Sequence, residues 1–157
     1  MEYPFVPENT ASRERLLPFV ASLTSDDLRQ PLGEHWTVSI GLLHLAFWDR
    51  QWLLKLQEWE RTGTVVIPAA SRQLDLVAAL NDGMLGWWRD VAPEQARIEI
   101  VSAAEAIDEV AAKLSPPTVE AILAARPRTL VRAVHRREHL NEIATALGRE
   151  LPIPPGA

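Results

Sequence analysis

Apolar residues recur at helical spacing along almost the whole chain. Between Ile100 and Leu114 the apolar positions are four, three, four and three residues apart, which is typical of a helix that packs in a bundle. No segment shows a convincing strand pattern, and no internal repeat is present. The pattern therefore predicts an all-α fold.

Helix caps and breakers divide this pattern into segments. Pro18 lies inside the first helix, where we expect a kink or a late helix start. The segment "LTSDDL" predicts a single capped turn, and Thr37 is a good N-cap for the second helix. The segment "SPPTVEAILAARP" predicts a broken connection with one helical turn, and Thr129 is expected to cap the last helix. The predicted helices cover about residues 9–23, 38–61, 72–91, 93–114 and 129–147.

These segments predict a four-helix bundle with a long crossover between the second and fourth helices, which carries the third as an extra helix. We expect one domain over residues 1–150. The tail, residues 151–157, is rich in proline and cannot continue a helix.

Composition excludes several classes of function. The net charge of −5 and the scattered arginines argue against nucleic acid and against an anionic membrane surface as partners. The chain has no cysteine, which excludes disulfides, protein thiolate nucleophiles and cysteine-type zinc sites. No signal-peptide pattern and no membrane-length apolar run is present, so we expect a cytoplasmic protein.

Two histidines in the last predicted helix form a candidate metal site. His135 and His139 are four residues apart, which places them about 40° apart around a helix and about 6 Å apart along it. Both imidazoles can therefore reach one ion, although such a pair is often incidental in an ordinary sequence. They border the apolar residues Leu130, Val131 and Val134, so we expect them to face inward or to line a cleft.

His44 is the third candidate ligand, because it lies in the apolar run "GLLHLAFW" of the second helix. Burying an unpaired imidazole costs about 1–3 kcal/mol. A neighbouring side chain can satisfy it, but a shared ion satisfies three imidazoles and keeps one coordination position open. Nitrogen ligands suit zinc, nickel, iron or copper, and we expect one zinc or nickel ion. His35 is not expected to be a ligand.

The segment "HRREH" also fits the H-x-x-E-H pattern of inverted zinc peptidases, in which Glu138 would be the general base. Those enzymes take a third ligand, usually a glutamate, from well downstream, and only 18 residues follow His139. We interpret the match as chance and expect Glu138 to form a solvated pair with an arginine.

Supporting residues are less sharply defined. Glu142 lies within about 20° of His135 on a helical wheel, so it is either a carboxylate that orients an imidazole or a surface charge. Asp49 has the same two interpretations, and the surface charge is favoured. The tryptophans are expected in the core or in dimer contacts rather than at a substrate; these are Trp48, Trp52, Trp87 and Trp88.

The segments "LTSDDL", "WTVSIGLLHLAFWDR" and "HRREHLNEI" together resemble the DinB-like superfamily over residues 10–148. This superfamily includes the metal-binding domain of mycothiol-dependent maleylpyruvate isomerase and the bacillithiol transferases. The resemblance implies a four-helix bundle with a long second crossover, and a homodimer. It also implies a metal triad of one histidine from the second helix and two from the last, which are His44, His135 and His139 here.

The resemblance further implies metal-activated thiol chemistry. A low-molecular-weight thiol such as mycothiol or bacillithiol would be held as a thiolate and would attack an electrophilic substrate, in a transferase or isomerase-type reaction. A non-catalytic metal-binding or interaction module is the alternative, since no clear acid or base accompanies the histidines. A metal-dependent hydrolase has less support.

Overall fold

The computed structural model describes residues 3–68 and 73–153, and within them the chain is mostly helical. The expected all-α class is therefore confirmed. The α-helices are α1 (Phe5–Ser22), α2 (Ser25–Arg29), α3 (Val38–Thr62), α4 (Leu74–Asp90), α5 (Pro93–Lys113), α6 (Pro116–Ala125) and α7 (Arg132–Ala146). A 3-10 turn, Pro127–Thr129, precedes α7.

Helix α3 occupies the centre of the packing. It lies most extensively against α5 and also contacts α7, while α1 packs on both α5 and α7. Every residue from position 38 to position 46 of α3 is buried, as the nearly continuous apolar sequence predicts. Large side chains from all four helices fill the core, among them Phe19, Leu42, Trp59, Ile100 and Leu140.

Several local predictions are confirmed. The capping box of α2 is present, because Thr24 and Asp27 each accept a hydrogen bond from the other's backbone N–H. Thr37 caps α3 by accepting a hydrogen bond from the Ile40 amide. Gly148 follows α7 with a φ of 61°, a left-handed conformation that favours glycine.

Other expectations were wrong at the breakers. Helix α1 begins at Phe5 and runs through Pro18, so the late start is wrong, whereas the alternative of a kink at Pro18 stays a prediction. The segment from 116 to 125 forms the full helix α6 rather than one turn, because its prolines occupy the first helical positions, where no amide hydrogen bond is needed. A short antiparallel pair, β1 (Pro31–Leu32) and β2 (Trp36–Thr37), was also not predicted.

The start of α7 differs from prediction as well. Thr129 lies in the 3-10 turn, and Val131 is the N-cap of α7 without a side-chain bond. The buried side chain of Asn9 replaces the missing cap: its oxygen accepts from the Ala133 amide at 3.1 Å, and its nitrogen donates to the Leu130 carbonyl at 2.8 Å. Helix α1 therefore holds the N-terminus of α7.

The described residues include only part of two further predicted segments. Helix α4 matches the predicted segment 72–91, except that residue 72 lies outside the described residues. Residues 151–153 of the predicted tail form no helix or strand, and residues 154–157 are likewise outside them. Among the described helices, none is both long and apolar enough to cross a membrane.

A chain of ion pairs connects the four central helices and is buried except at Arg13, whose side chain is 25% exposed; we call it the buried charge chain. Arg13 of α1 contacts Asp108 of α5 at 3.2 Å, and Asp108 contacts Arg136 of α7 at 2.9 Å. Arg136 also contacts Asp49 of α3 at 3.0 Å, and Asp49 contacts Arg132 of α7 at 2.8 Å. The side chains of Arg136 and Asp49 are fully buried.

The charges of this chain depend on one another. Burial alone lowers the pKa of the Arg136 guanidinium, but Asp49 and Asp108 outweigh burial and hold its pKa above the ordinary value. Burial raises the pKa of the Asp108 carboxyl even though Arg136 and Arg13 oppose the shift. The two arginines therefore favour the ionised form of Asp108 against the effect of burial.

The substitution Arg136→Met tests the buried charge chain. It leaves Asp49 and Asp108 buried with fewer partners, so we expect the free energy of unfolding to fall by about 3–5 kcal/mol in urea denaturation. The control is Arg50→Met, which removes the Arg50–Glu99 pair, whose side chains are 43% and 33% exposed. We expect that variant to lose under about 1 kcal/mol. Equal losses in both variants would contradict the assignment.

Candidate metal centre

The fold brings the three predicted histidines together. His44 comes from α3, and His135 and His139 come from α7, which packs against α3. Each of the three offers a ring nitrogen, and these nitrogens all lie within 4.8 Å of one another. The Nε2 atoms of His44 and His135 are 3.3 Å apart. This group can therefore hold a metal ion.

Aromatic rings surround the histidines and exclude water from one side of the group. The ring of Trp36 lies 4.8 Å from that of His44, and the ring of Trp88 lies 5.8 Å from it. His44 is only 4% exposed. Trp36 comes from β2, so the unpredicted hairpin supplies part of the wall. The Leu32 side chain of the hairpin packs directly on Gly41 of α3, where a Cβ would lie 2.7 Å from a Leu32 methyl.

The surroundings keep two of the imidazoles neutral. Burial lowers the pKa of His44 from 6.5 to about 3, and His139 adds a smaller effect in the same direction. Burial also lowers the pKa of His135 from 6.5 to about 2, and the positive charge of Arg132 contributes further. Both rings are therefore uncharged at pH 7, with a hydrogen on only one of the two ring nitrogens, which is the form that binds a metal.

The spacing and the chemistry of the donors fit a small transition metal. Tetrahedral zinc with zinc–nitrogen bonds of about 2.0–2.1 Å holds its ligand nitrogens about 3.3–3.4 Å apart. The His44–His135 separation of 3.3 Å has this value, while the three donor nitrogens as a group lie within 4.8 Å of one another, so the group tightens when it closes around an ion. Neutral imidazoles without a carboxylate in the group favour zinc, nickel, copper or iron over calcium and magnesium.

The outer nitrogens of the two α7 histidines have different partners. Nδ1 of His139 lies 2.8 Å from Glu142, the usual arrangement for a histidine that binds metal through its other nitrogen. The helical wheel placed Glu142 near His135, but the structure pairs it with His139. Nδ1 of His135 instead lies 3.1 Å from the Arg132 guanidinium. Arg132 was not among the predicted site residues.

Neither Asp49 nor His35 belongs to the histidine group. The favoured interpretation of Asp49 as a surface charge is wrong, because its carboxylate is buried and accepts hydrogen bonds from Arg132 and Arg136. Asp49 thus acts on His135 only through Arg132. His35 lies in the hairpin turn with its side chain 73% exposed, outside the histidine group as expected.

A cavity of about 460 Å³ opens beside the histidines. All three histidines line it, together with Glu138, Arg132 and aromatic side chains. Trp52 is buried in the core as expected and also lines the cavity, and Trp48 lines it too. Trp88 is buried as expected, and Trp87 is 75% exposed. Glu138 therefore faces the space next to the candidate metal site, and not only solvent.

The pH dependence of stability tests the burial of the neutral histidines. The unfolded chain binds protons at His44 near pH 6.5, and the folded chain binds them only near pH 3. The unfolding free energy is therefore unaffected by this group above about pH 6.5 and falls as the pH drops toward 3. For His44 we expect a loss on the order of 2 kcal/mol between pH 7.5 and pH 5.

The measurement is urea denaturation of metal-free protein at several pH values. His44→Gln should remove this part of the acid-induced loss, while the exposed-site variant His35→Gln should leave the pH profile unchanged. Parallel pH profiles for wild type and His44→Gln would show that the imidazole is not held neutral.

Comparisons with known proteins give no relative for this chain. No family model matches it, and neither a curated protein nor a solved structure does. The resemblance carried by residues 10–148 therefore stays a prediction, and the chemistry of the site is inferred from its own geometry.

Proposed function

We propose that this protein is a DinB-like four-helix-bundle metalloprotein that holds one zinc or nickel ion and activates a low-molecular-weight thiol. One observation carries the proposal: three imidazoles from two helices converge at the wall of a cavity large enough for a small substrate. The packing of α1, α3, α5 and α7, with α4 in the long connection, supports the bundle part of the proposal.

His44, His135 and His139 hold the ion in this proposal. Three protein ligands with an adjoining cavity are the arrangement of catalytic zinc sites, whereas structural zinc sites use four protein ligands. Neither buried arginine is a member of the histidine group, and of the two only Arg132 also lines the cavity.

The thiol comes from outside the chain, because the protein has no cysteine of its own. When bound, the ion supplies Lewis acidity that favours the thiolate form of a coordinated thiol. Mycothiol and bacillithiol are the proposed thiols. The cavity of about 460 Å³ accommodates part of such a molecule together with an electrophilic substrate.

The remaining cavity residues have roles suited to this chemistry. Glu138 lines the cavity beside His135 and His139, where its carboxylate can accept the proton that the thiol releases. The rings of Trp36, Trp48 and Trp52 give the cavity apolar walls that hold an unsaturated substrate and exclude water. The thiolate sulfur then bonds to an electrophilic carbon of an unsaturated substrate while the π bond at that carbon breaks. In transfer, the carbanion so formed takes back the proton held by Glu138. In isomerisation, the new single bond rotates, and the double bond re-forms as the thiolate is expelled.

Thermal protection by a thiol tests this proposal. We expect mycothiol or bacillithiol to raise the melting temperature of the zinc-loaded protein, with about 2.7 kcal/mol of stabilisation at a hundredfold excess over the dissociation constant. The S-methylated thiol is the matched control and should give no shift, because its sulfur cannot become a thiolate. Metal content is measured after each melt to detect removal of zinc by the thiol.

Two results would contradict the thiol proposal. A thiol-induced shift of equal size in zinc-free protein would show that the metal has no part in binding. No shift in zinc-loaded protein would favour the alternative, in which the ion only ties α3 to α7 in a non-catalytic module.

A further inference from the structure

The contact between Arg132 and His135 is unusual for a candidate metal ligand. Metal-binding histidines normally donate their second N–H to a carboxylate, a carbonyl or water, as His139 can do with Glu142. The second nitrogen of His135 instead faces a guanidinium nitrogen at 3.1 Å. A guanidinium has only donors, so Nδ1 of His135 must be the acceptor and carry no hydrogen.

This contact fixes the tautomer of the neutral ring. With Nδ1 unprotonated, the ring hydrogen of His135 is on Nε2. Nε2 lies 3.3 Å from Nε2 of His44, which can accept that hydrogen. In the metal-free protein the nitrogen that points into the histidine group is therefore occupied by a hydrogen rather than presenting a lone pair.

Arg132 is held firmly in this position. Its Nε donates to Asp49 at 2.8 Å, and its side chain is only 6% exposed. Asp49 is in turn fixed by Arg136, which is fully buried. The buried charge chain thus directs the Arg132 guanidinium at His135.

We propose that Arg132 is a positioning residue that sets the tautomer of His135 and competes with the metal ion for that imidazole. A metal bound through Nε2 needs the ring hydrogen on Nδ1, where it would meet the guanidinium hydrogens of Arg132. Metal binding must therefore break the Arg132–His135 hydrogen bond. Arg132 also lines the cavity, so breaking this bond leaves its guanidinium next to open space. This inference rests on the metal part of the proposed function and not on the thiol.

Two substitutions at Arg132 test the competition. Arg132→Met removes the donors and the charge while Asp49 keeps its bonds to Arg136. We expect it to bind zinc about tenfold more tightly than wild type, the effect of losing one charge-assisted hydrogen bond. Arg132→Lys keeps a positive donor and should bind zinc within about threefold of wild type. Thermal melts of both metal-free variants establish that they fold.

The tautomer provides a readout that a merely structural role would not move. Nitrogen-15 NMR of the metal-free wild type should show His135 with a hydrogen on Nε2 and none on Nδ1. In Arg132→Met the ring should populate the other tautomer as well. Zinc should shift the hydrogen to Nδ1 in wild type.

The outcomes separate this inference from the proposed function. A hydrogen on Nδ1 of His135 in the metal-free wild type would overturn the role of Arg132 and leave the metal proposal intact. Zinc affinity that does not change in Arg132→Met would also overturn the competition alone. Failure of wild type and both variants to bind zinc would overturn both.

Discussion

The buried charge chain is the interaction on which the rest of the site depends. It runs through all four central helices and ends next to His135, at Arg132. Burying charges is costly, and a buried ion pair is weak support for stability in itself. The pairs instead fix the orientation of α7. Arg136 donates hydrogen bonds to both α3 and α5, and these bonds form only when α7 is rotated about its axis to one orientation. In that rotation its histidines face His44.

Helix α7 achieves this with an unusual inward stripe. Arg132, His135, Arg136 and His139 are spaced three, one and three residues apart, the i, i+3, i+4, i+7 pattern that apolar residues normally occupy. The two arginines bind the carboxylates of neighbouring helices, and His135 and His139, which alternate with the arginines along the stripe, complete the candidate site. The same stripe thus fixes the helix and supplies two ligands. This arrangement also places the positive charge of Arg132 beside His135, where it opposes the binding of a metal cation.

Features that depend on residues close together in sequence could be predicted, whereas features that depend on residues far apart in sequence could not. The triad could be predicted because helical spacing alone places His135 and His139 together, and because His44 lies in a segment too apolar to be at the surface. The burial of Asp49 and Arg136 could not be predicted, since charged side chains are normally solvated and these partners are 87 residues apart. The full length of α6 was missed because the sequence does not distinguish prolines that begin a helix from prolines that end one. The position of Trp36 was missed because each strand of its hairpin is only two residues long, too short to show an alternating pattern.

The measurement that tests the central claim most directly is the metal content of the purified, untagged protein after loading with zinc and removal of free ions. The structure predicts about one zinc per chain in the wild type and in His35→Ala, and none in His44→Ala or His139→Ala. Stoichiometric zinc in His44→Ala, or none in the wild type after loading with zinc or nickel, would contradict the three-histidine site.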